Sequence, residues 1–379
     1  MPRSSAPMAV SESRFSHRLE VLQQLAQEVL AYAGKQGASA CEVDVSVGFG
    51  QSVTVRCGEA ETIEYNRDKG ISVSVYLGQR KGQASTSDFS STAWRETVDA
   101  ALNIARFTAA DPCAGLPDLE LLAIDTGSLP DLDLYHPWLL SVEAAVELAQ
   151  RCEQAAFAVS PKISNSEGAT VSIQEGQFIS ANSLGFMGGY PSSRHYLSCS
   201  VIAGRNENMQ RDDWYSTARN PSAIGSPESI GEIAARRAVS RLAARKIKTC
   251  RVPVVFEAPL ASSLIGNFVH AVSGGSLYRK TSFLVDSLGK RVFSKKVQIS
   301  ERPHLPGGLA SGYFDSDGVA THDREVLVDG RLQGCFLSDK EIGDAEHGQC
   351  WWLPQPDRTT GETRSAGSAQ EDGAWIAGH

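Results

Sequence analysis

The chain has 379 residues, which is long enough for two or three domains with a sizeable core. Charged residues make up 21% of it and the formal net charge is −8, which argues against nucleic acid or an anionic membrane as a partner. No apolar run approaches the roughly 20 residues that span a bilayer, and the amino terminus lacks the apolar core of a secretory signal. The eight cysteines are scattered without a CxxC pair, which favours reduced thiols and a cytoplasmic location.

The first folded region is predicted to be α+β. Residues 1–12 are interpreted as a disordered leader, and apolar residues at helical spacing predict a helix over 15–36. Five segments with period two follow, with turns predicted between them: CEVDVSV, SVTVRC, ETIEYN, ISVSVYL and KGQASTS. This pattern is typical of an antiparallel β-meander with one wet face, and GFGQ is interpreted as its first turn. A second helix over 90–107 begins at a Ser/Thr cluster suited to capping and completes a domain over 13–113.

A connector rich in Pro and Asp separates this domain from a β-rich middle segment over 114–245. The middle segment is predicted to begin with a helix capped by Ser141. Long strands follow, joined by turns at 181–185 and 204–208. A helix over 226–244, whose arginines are interpreted as a solvated face, ends the segment.

The third segment, 246–338, is predicted to be an incomplete β-rich C-terminal domain. It opens with RVPVVFEA, interpreted as a strand, and continues with a helix over 260–272. Gly274 and Gly275 are interpreted as the end of that helix. The remainder is predicted to be strand and turn, with a hairpin around the Asp-Gly pair at 329–330.

Residues 339–379 have no sustained period and almost no aliphatic clustering, so they cannot bury enough apolar surface to offset their ordering entropy. A disordered acidic tail and a change of reading frame both explain this. Codons that fit 341–355, shifted by one nucleotide, permit KLGMQNTGNAGGSHN, and the same shift over 369–379 permits LRKMGRGLLVT. Because two blocks obey one shift, we interpret the segment as an irregular, out-of-frame tail that leaves the chain truncated near Ser338.

Motifs for catalysis or metal binding are weak throughout the chain. No P-loop, GxSxG or GxGxxG motif is present. FDSDG at 314–318 resembles the start of a calcium loop but lacks the distal Glu, which favours a tight turn. His270, His304 and His322 are far apart in sequence and none has a second ligand at helical spacing. We therefore assign no catalytic residue and no metal ligand to this chain.

The densest cluster of glycines, an aromatic residue and cations is GGSLYRKTSF at 274–283. Backbone at glycines can approach another chain closely, and Arg or Lys can hold carbonyl groups or a peptide carboxylate. A helix C-cap followed by a charged loop is the alternative, and it stays open. The candidate peptide-binding residues are Gly274, Gly275, Tyr278, Arg279 and Lys280.

Four blocks of the sequence resemble the TldD/PmbA family of modulator-of-gyrase-like metalloproteases, and more specifically its PmbA (TldE) branch. They are EYNRDKGISVSVYLGQRKGQASTSD, ARFTAADPCAGLPD, HAVSGGSLYRKTSFLVDSLGK and GYFDSDGV. The resemblance covers about 13–338. The shifted-frame strings TGNAGGSHN and MGRGLLVT are similar to the C-terminal part of the same family.

The resemblance implies a cytoplasmic protease assembly that acts on unfolded or modified peptides. In such an assembly a TldD-type subunit carries a zinc-binding H-E-x-x-x-H helix and pairs with a PmbA-type subunit around an enclosed chamber. The matching position here, 257–264, reads EAPLASSL and has neither histidine. The resemblance therefore implies no metal in this chain, zinc in a TldD-type partner, and a chamber-shaping role in which the 274–280 cluster lines the chamber.

Three functions stay open from the sequence. The chain is the non-metal subunit of a heterodimeric metalloprotease, a peptide-binding scaffold without a proteolytic link, or an inactive truncated pseudogene product. Co-purification with an H-E-x-x-x-H homologue separates the first from the second. The nucleotide sequence around the Ser338 codon decides the third.

Overall fold

The computed structural model describes residues 14–124 and 130–336. The leader predicted over 1–12 and the tail predicted over 339–379 lie outside these residues, and both stay predictions. Within the described ranges, no helix is long and apolar enough to cross a lipid bilayer.

One large antiparallel sheet organises most of the chain and, with the helices packed on it, confirms the predicted α+β class. Its strands follow the order β4-β3-β1-β5-β7-β8, with β2 beside β1 and β6 beside β5. The sheet crosses the boundary predicted at residue 113, because four strands precede this point and four follow it. The domain division itself stays a prediction. The strands are β1 (Ala40–Arg56), β2 (Glu59–Asn66), β3 (Lys69–Leu77), β4 (Arg80–Thr86), β5 (Ile163–Asn182), β6 (Met187–Gly188), β7 (Pro191–Ala203) and β8 (Gln210–Ala218).

The turn predicted at GFGQ is wrong, because β1 runs straight through these residues. The first half of β1 pairs with β3 and the second half with β2, so β2 and β3 together form the return strand. On its other side, β1 pairs with β5 without a break from Glu42 to Val55. Odd positions stay buried on both sides of Gly48, and this shared phase favours one long strand over two short ones.

Four helices cover one face of the sheet and bury two apolar cores against it. The predicted caps are confirmed, because the Oγ atoms of Ser90, Ser141 and Ser226 each accept a backbone N–H three residues along the chain. Such a cap stabilises a helix by about 1 kcal/mol. The helices are α1 (Leu19–Lys35), α2 (Ser91–Phe107), α3 (Val142–Val159) and α4 (Pro227–Ser240).

The arginines of α4 do not all form a solvated face. Arg236 is exposed, as predicted. Arg237 instead lies over the Trp214 ring at 5.1 Å and pairs with Asp212 at 3.1 Å and with Glu257. The helix carries this side chain inward because position 237 lies at the border of its buried face.

The C-terminal region is built from short elements: α5 (Ala258–Ala271), α6 (Gly274–Tyr278) and a small antiparallel sheet of β9 (Ile299–Glu301), β10 (Arg324–Val328) and β11 (Arg331–Leu332). The predicted hairpin at 329–330 is confirmed, since both residues have positive φ between β10 and β11. The glycines at 274–275 do not end α5, which already ends at Ala271. They begin α6 instead.

The strand predicted for RVPVVFEA is also wrong. Residues 251–257 have no regular structure, and Val252 and Val255 are 59% and 83% exposed. A strand needs a neighbour for its backbone N–H and C=O groups. None of the described strands pairs with this segment, so its apolar residues stay in contact with solvent.

Candidate functional site

The large sheet has one face covered by helices and one face that is open. Along β1, odd positions are buried under the helices and even positions point to the opposite side. In β1 this alternation confirms the wet face predicted for the first meander, and the same alternation holds in β5 and β7. The open face carries mainly hydroxyl, carboxylate and aromatic side chains: Asp44, Ser46, Ser52, Thr54, Thr170, Ser172, Ser180, Tyr196, Ser198 and Tyr215.

A tight loop at 314–318 covers one end of this open face. The predicted turn is confirmed, because Asp315 Oδ1 accepts the backbone N–H groups of Asp317 and Val319, both at 2.9 Å. Two aromatic rings, Phe186 and Phe314, fasten the loop to the sheet with an edge-to-face contact at 5.0 Å.

The fit of these two rings depends on glycine. A Cβ atom at Gly318 would lie 2.7 Å from the Phe186 ring, and φ there is +82°. A Cβ atom at Gly188 would lie 2.5 Å from the Phe314 ring. Side chains at either position would push the loop away from the sheet.

A cleft lies between the loop and the open face. Its narrower part has a volume of about 160 Å³ and its wider part about 270 Å³, and both parts share Asp44, Ser180 and Ser316. The narrower part is mostly polar, and Phe178 and Phe314 form the apolar wall of the wider part. The cleft is therefore much larger than the space of one water molecule.

An ion pair forms one wall of the cleft. Glu42 Oε1 accepts hydrogen bonds from Lys81 Nζ and from the Tyr76 hydroxyl, both at 2.9 Å. Burial and the neighbouring Glu42 carboxylate raise the pKa of Tyr76 to about 12. Burial disfavours the charge of Lys81, but the hydrogen bond and the charge of Glu42 outweigh it and raise the pKa of this ammonium group. Lys81 and Glu42 therefore largely neutralise each other.

Asp44 lies beside this pair on the next row of the sheet. Partial burial raises the pKa of Asp44, and the Glu42 carboxylate acts in the same direction, while a hydrogen bond from Ser180 and the charge of Lys81 act against it. No ion pair is formed by Asp44 within 14–124 and 130–336. Its carboxylate is therefore a negative charge without a direct counter-ion from the described residues.

The 274–280 cluster lies elsewhere, on α6 and the turn after it. Gly274 is buried and donates its N–H to the Phe336 carbonyl at 2.6 Å. The Tyr278 hydroxyl reaches Asp111 Oδ1 at 3.4 Å, while Arg279 and Lys280 are exposed. A Cβ atom on Gly275 would lie 3.0 Å from the Arg279 guanidinium group. None of these residues is among those that line the cleft, and their peptide-binding role stays a prediction.

The polar side chains of α5 bond to their own helix. Ser262 and Ser263 donate their hydroxyl hydrogens to the carbonyl oxygens of residues 259 and 260, both at 2.7 Å. Asn267 Nδ2 donates to the Ser263 carbonyl oxygen at 2.8 Å. Their donors are therefore satisfied within α5.

Comparisons with known proteins agree over most of the chain. Three models of PmbA/TldA metallopeptidase domains match: domain 1 over 41–105, the central domain over 135–242 and the C-terminal domain over 249–370. Metalloprotease PmbA of Escherichia coli O157:H7 is 45% identical over 326 residues, which cover 86% of this chain and 72% of that protein. The chain belongs to the PmbA/TldD family.

Other members of the PmbA/TldD family agree with this assignment. The Metalloprotease PmbA homolog of Haemophilus influenzae is 44% identical over 349 residues, with 90% of this chain and 76% of that protein covered. A putative modulator of DNA gyrase from Bacteroides thetaiotaomicron matches with a TM-score of 0.79 at 24% identity, covering 84% of this chain and 72% of that chain. TldE from Thermococcus kodakarensis matches with a TM-score of 0.64 at 15% identity, covering 84% and 71%. These two structures share the fold of this PmbA/TldD member.

A metallopeptidase family implies a metal, and the position that matches the H-E-x-x-x-H helix, 257–264, lies at the start of α5. The side chains of α5 therefore show whether this helix could bind zinc. Structural and catalytic zinc sites use thiolates, imidazoles and carboxylates. The polar side chains of α5 are hydroxyls and an amide bonded to the helix itself, together with the exposed His270. Within 14–124 and 130–336, no group of three or more His, Cys, Asp or Glu could hold a metal ion. The α5 residues of this PmbA/TldD member do not fit zinc, and no catalytic step is assigned to them.

The motif search of the sequence did not find the cleft. Its residues are single polar positions in separate strands, and only the register brings them together. One signal was present, because even positions of the first and fourth predicted strands are polar, as in Glu42, Asp44, Ser72 and Ser74. The loop that closes the cleft lies more than 200 residues after Glu42, Asp44, Ser72 and Ser74, and periodicity carries no information about such contacts.

Proposed function

We propose that this chain is the PmbA/TldE-type subunit of a cytoplasmic two-subunit peptidase that acts on unfolded or modified peptides. In this proposal it shapes part of a peptide-binding chamber, and a TldD-type partner holds the zinc ion. The observation that carries the proposal is the open polar face of the large sheet, together with the cleft at its end. The names of the curated relatives, which are metalloproteases, support the link to proteolysis.

The chemistry of the open face suits peptides of varied sequence. Serine and threonine hydroxyls both donate and accept hydrogen bonds, so they can bind any extended backbone. Tyr196 and Tyr215 stack on one another with ring centroids 5.4 Å apart, and Tyr215 is 45% exposed. Such rings add apolar contact without requiring a particular side chain from the peptide.

A second candidate function is a peptide-binding scaffold with no proteolytic link. The self-bonded side chains of α5 favour it, because they supply neither a metal ligand nor a nucleophile. This candidate uses the same open face. It differs from the first only in whether a metal-bearing partner is required.

Co-expression with an H-E-x-x-x-H homologue from the same genome tests the proposal. We expect the two full chains to co-purify and to cleave an unfolded protein such as reduced casein. We expect neither chain alone to match this rate. Failure of the two chains to co-purify, or cleavage by this chain alone, would contradict the subunit role.

A pair of variants tests the open face within that complex. Tyr215→Ala is expected to raise KM several-fold, because a large exposed contact for peptide is lost. Phe107→Ala is the matched control, since Phe107 is also an exposed aromatic residue but ends α2, on the covered side of the sheet. Equal effects of the two variants would show that the open face is not the peptide surface.

A further inference from the structure

We propose that the cleft between the open face and the 314–318 loop is a subsite for a primary ammonium group on the peptide substrate. This inference rests on the proposed function and adds a substrate preference to it. The ammonium group belongs either to a lysine side chain or to the peptide's amino terminus, since both offer the same charge and the same three donors.

The cleft is built on two neighbouring cross-strand rows of the open face. In the first row, Gln83, Ser74, Glu42 and Asn182 are register partners across β4, β3, β1 and β5. Asp44 belongs to the second row, between Ser72 and Ser180. Because four hydrogen-bonded strands hold these positions, the wall of the cleft that the sheet supplies is preorganised.

Two side chains in this cleft are almost fully buried yet keep unused hydrogen-bonding groups. Ser74 is 5% exposed, and no hydrogen bond joins its hydroxyl to another residue of 14–124 or 130–336. Asn182 is 4% exposed and accepts the N–H groups of Leu184 and Phe186 through Oδ1. Its Nδ2 has no partner within the same ranges. Both residues line the cleft and their free polar atoms are reached from it, so a ligand in the cleft can bond to them.

The charge balance of the cleft selects a cation. The narrower part is lined by three carboxylates, from Glu42, Asp44 and Asp317, and by one ammonium group, from Lys81. Since Lys81 is bound to Glu42 at 2.9 Å, the negative charge without an ion pair among the described residues is that of Asp44. An anion would be repelled here, and a group with positive charge is attracted.

The shape of the cleft favours an alkyl ammonium group over a bare metal ion. The wider part adds the rings of Phe178 and Phe314, which offer apolar contact to a methylene chain and a negative ring face to a cation. These rings supply no ligand atom for a metal ion. The Ser74 hydroxyl and the Asp44 carboxylate supply acceptors for the ammonium hydrogens.

A set of three small probes tests the subsite on the full chain. Nα-acetyl-lysine amide carries only a side-chain ammonium group, norleucine amide carries only an α-ammonium group, and Nα-acetyl-norleucine amide carries neither. We expect at least one of the charged probes to bind at concentrations up to about 10 mM, and the neutral probe to bind at least tenfold more weakly. Calorimetric or NMR titration measures each affinity, and the preferred charged probe identifies the source of the ammonium group.

Variants show whether the named residues form the site. Asp44→Asn is expected to weaken binding of the charged probe about tenfold, since it removes the carboxylate charge and leaves the shape of the side chain unchanged. Ser74→Ala is expected to weaken binding of the same probe by a smaller factor. Asp213→Asn is the matched control, because Asp213 is an exposed carboxylate at the far edge of the same sheet face. Thermal melting checks that each variant is folded.

Three outcomes would overturn the inference. They are the absence of saturable binding by either charged probe, equal binding of the neutral probe, and equal loss in the Asp44→Asn and Asp213→Asn chains. These titrations need no partner subunit, so their result is independent of complex formation. A chain that binds the probes but fails to pair with an H-E-x-x-x-H homologue would retain the subsite and lose the proposed peptidase role.

Discussion

The large sheet with its four helices and the C-terminal region from residue 249 differ in how completely they bury their apolar segments. In the large sheet, every long alternating segment has a neighbour, and odd positions such as Val53 are fully buried. In the C-terminal region, an equally apolar segment at 251–257 remains exposed, and Val255 is 83% accessible. An apolar segment therefore forms a regular strand only where a partner strand or helix covers it. The reason is that burial of apolar surface, and not the sequence pattern itself, supplies the free energy of folding.

The largest contrast between the two regions is expected from one substitution at two helical glycines. A Cβ atom at Gly231 in α4 would lie 1.9 Å from the Cys152 carbonyl oxygen of α3, whereas nothing lies within 4 Å of one at Gly266 in α5. We expect Gly231→Ala to lower the free energy of unfolding by about 3 kcal/mol, since backbone atoms must move apart. Gly266→Ala is expected to raise it by up to about 1 kcal/mol. Urea denaturation measures both, and a loss of equal size at the two sites would refute close packing of α3 on α4.

The next contrast concerns two glutamates. Glu153 is 1% exposed and accepts the N–H groups of Cys57 and Gly58 at the turn between β1 and β2, at 2.9 and 2.7 Å. We expect Glu153→Ala to lower the free energy of unfolding by about 2–3 kcal/mol, because both donors lose their acceptor.

The matched control for Glu153 lies in the small C-terminal sheet. Glu325 pairs with Arg302, but both side chains are about 40% exposed. We expect Glu325→Ala to change the free energy of unfolding by less than about 1 kcal/mol, since water screens exposed pairs. Similar losses for the two alanine variants would show that the buried carboxylate does not fasten the turn.

A third contrast uses valines of the two regions. Val53→Ser in β1 is expected to lower the free energy of unfolding by about 2 kcal/mol, because it removes buried apolar volume and introduces a hydroxyl. Val255→Ser should change it by less than about 0.5 kcal/mol, as for most surface substitutions. Chemical denaturation with tryptophan fluorescence measures both, and a marked loss for Val255→Ser would mean that the 251–257 segment is covered in solution.

The smallest effect is a pH dependence of opposite sign at two aspartates of the large sheet. The pKa of Asp44 is raised, so its ionisation disfavours folding, and the penalty is absent below the ordinary Asp pKa and appears as pH rises through the raised value. We therefore expect Asp44→Asn to stabilise the protein slightly at pH 7 and not at pH 3. Because Asp44 is more than a third exposed, solvent screening keeps the gain small.

Asp212 is the comparison for Asp44. Burial acts to raise the pKa of Asp212, but the backbone N–H of Asp213 and the guanidinium groups of Arg237 and Arg241 outweigh it and lower the value. Its ionised form stabilises the fold above the ordinary Asp pKa, and this contribution disappears as pH falls through the lowered value. Asp212→Asn should therefore destabilise at pH 7 and lose its effect in acid. Melting temperatures across pH 3–7 test both signs, and parallel curves for the two variants would contradict them.

Local features of the fold were predictable because each depends on a few neighbouring residues. The helices that begin after Ser90, Ser141 and Ser226 follow from a cap and an apolar period, and the hairpin at 329–330 follows from its Asp-Gly pair. Predictions failed where a local signal competed with a distant one. The glycines of GFGQ indicate a turn locally, but pairing with β5 over the whole length of β1 keeps these residues extended.

The sequence by itself determined the helices α1 to α5, the two-faced strands, the tight turn at FDSDG and the resemblance to one family. The helices, the strand faces and the turn depend on residues that are close together in the sequence. Only the tertiary structure decided that Glu42, Ser74 and Asn182 share one row, and that the 314–318 loop closes over them to form a cleft. The physical reason is that strand register depends on contacts between residues far apart in the chain. No local pattern specifies those contacts, and they become definite only when the sheet and its covering helices pack together.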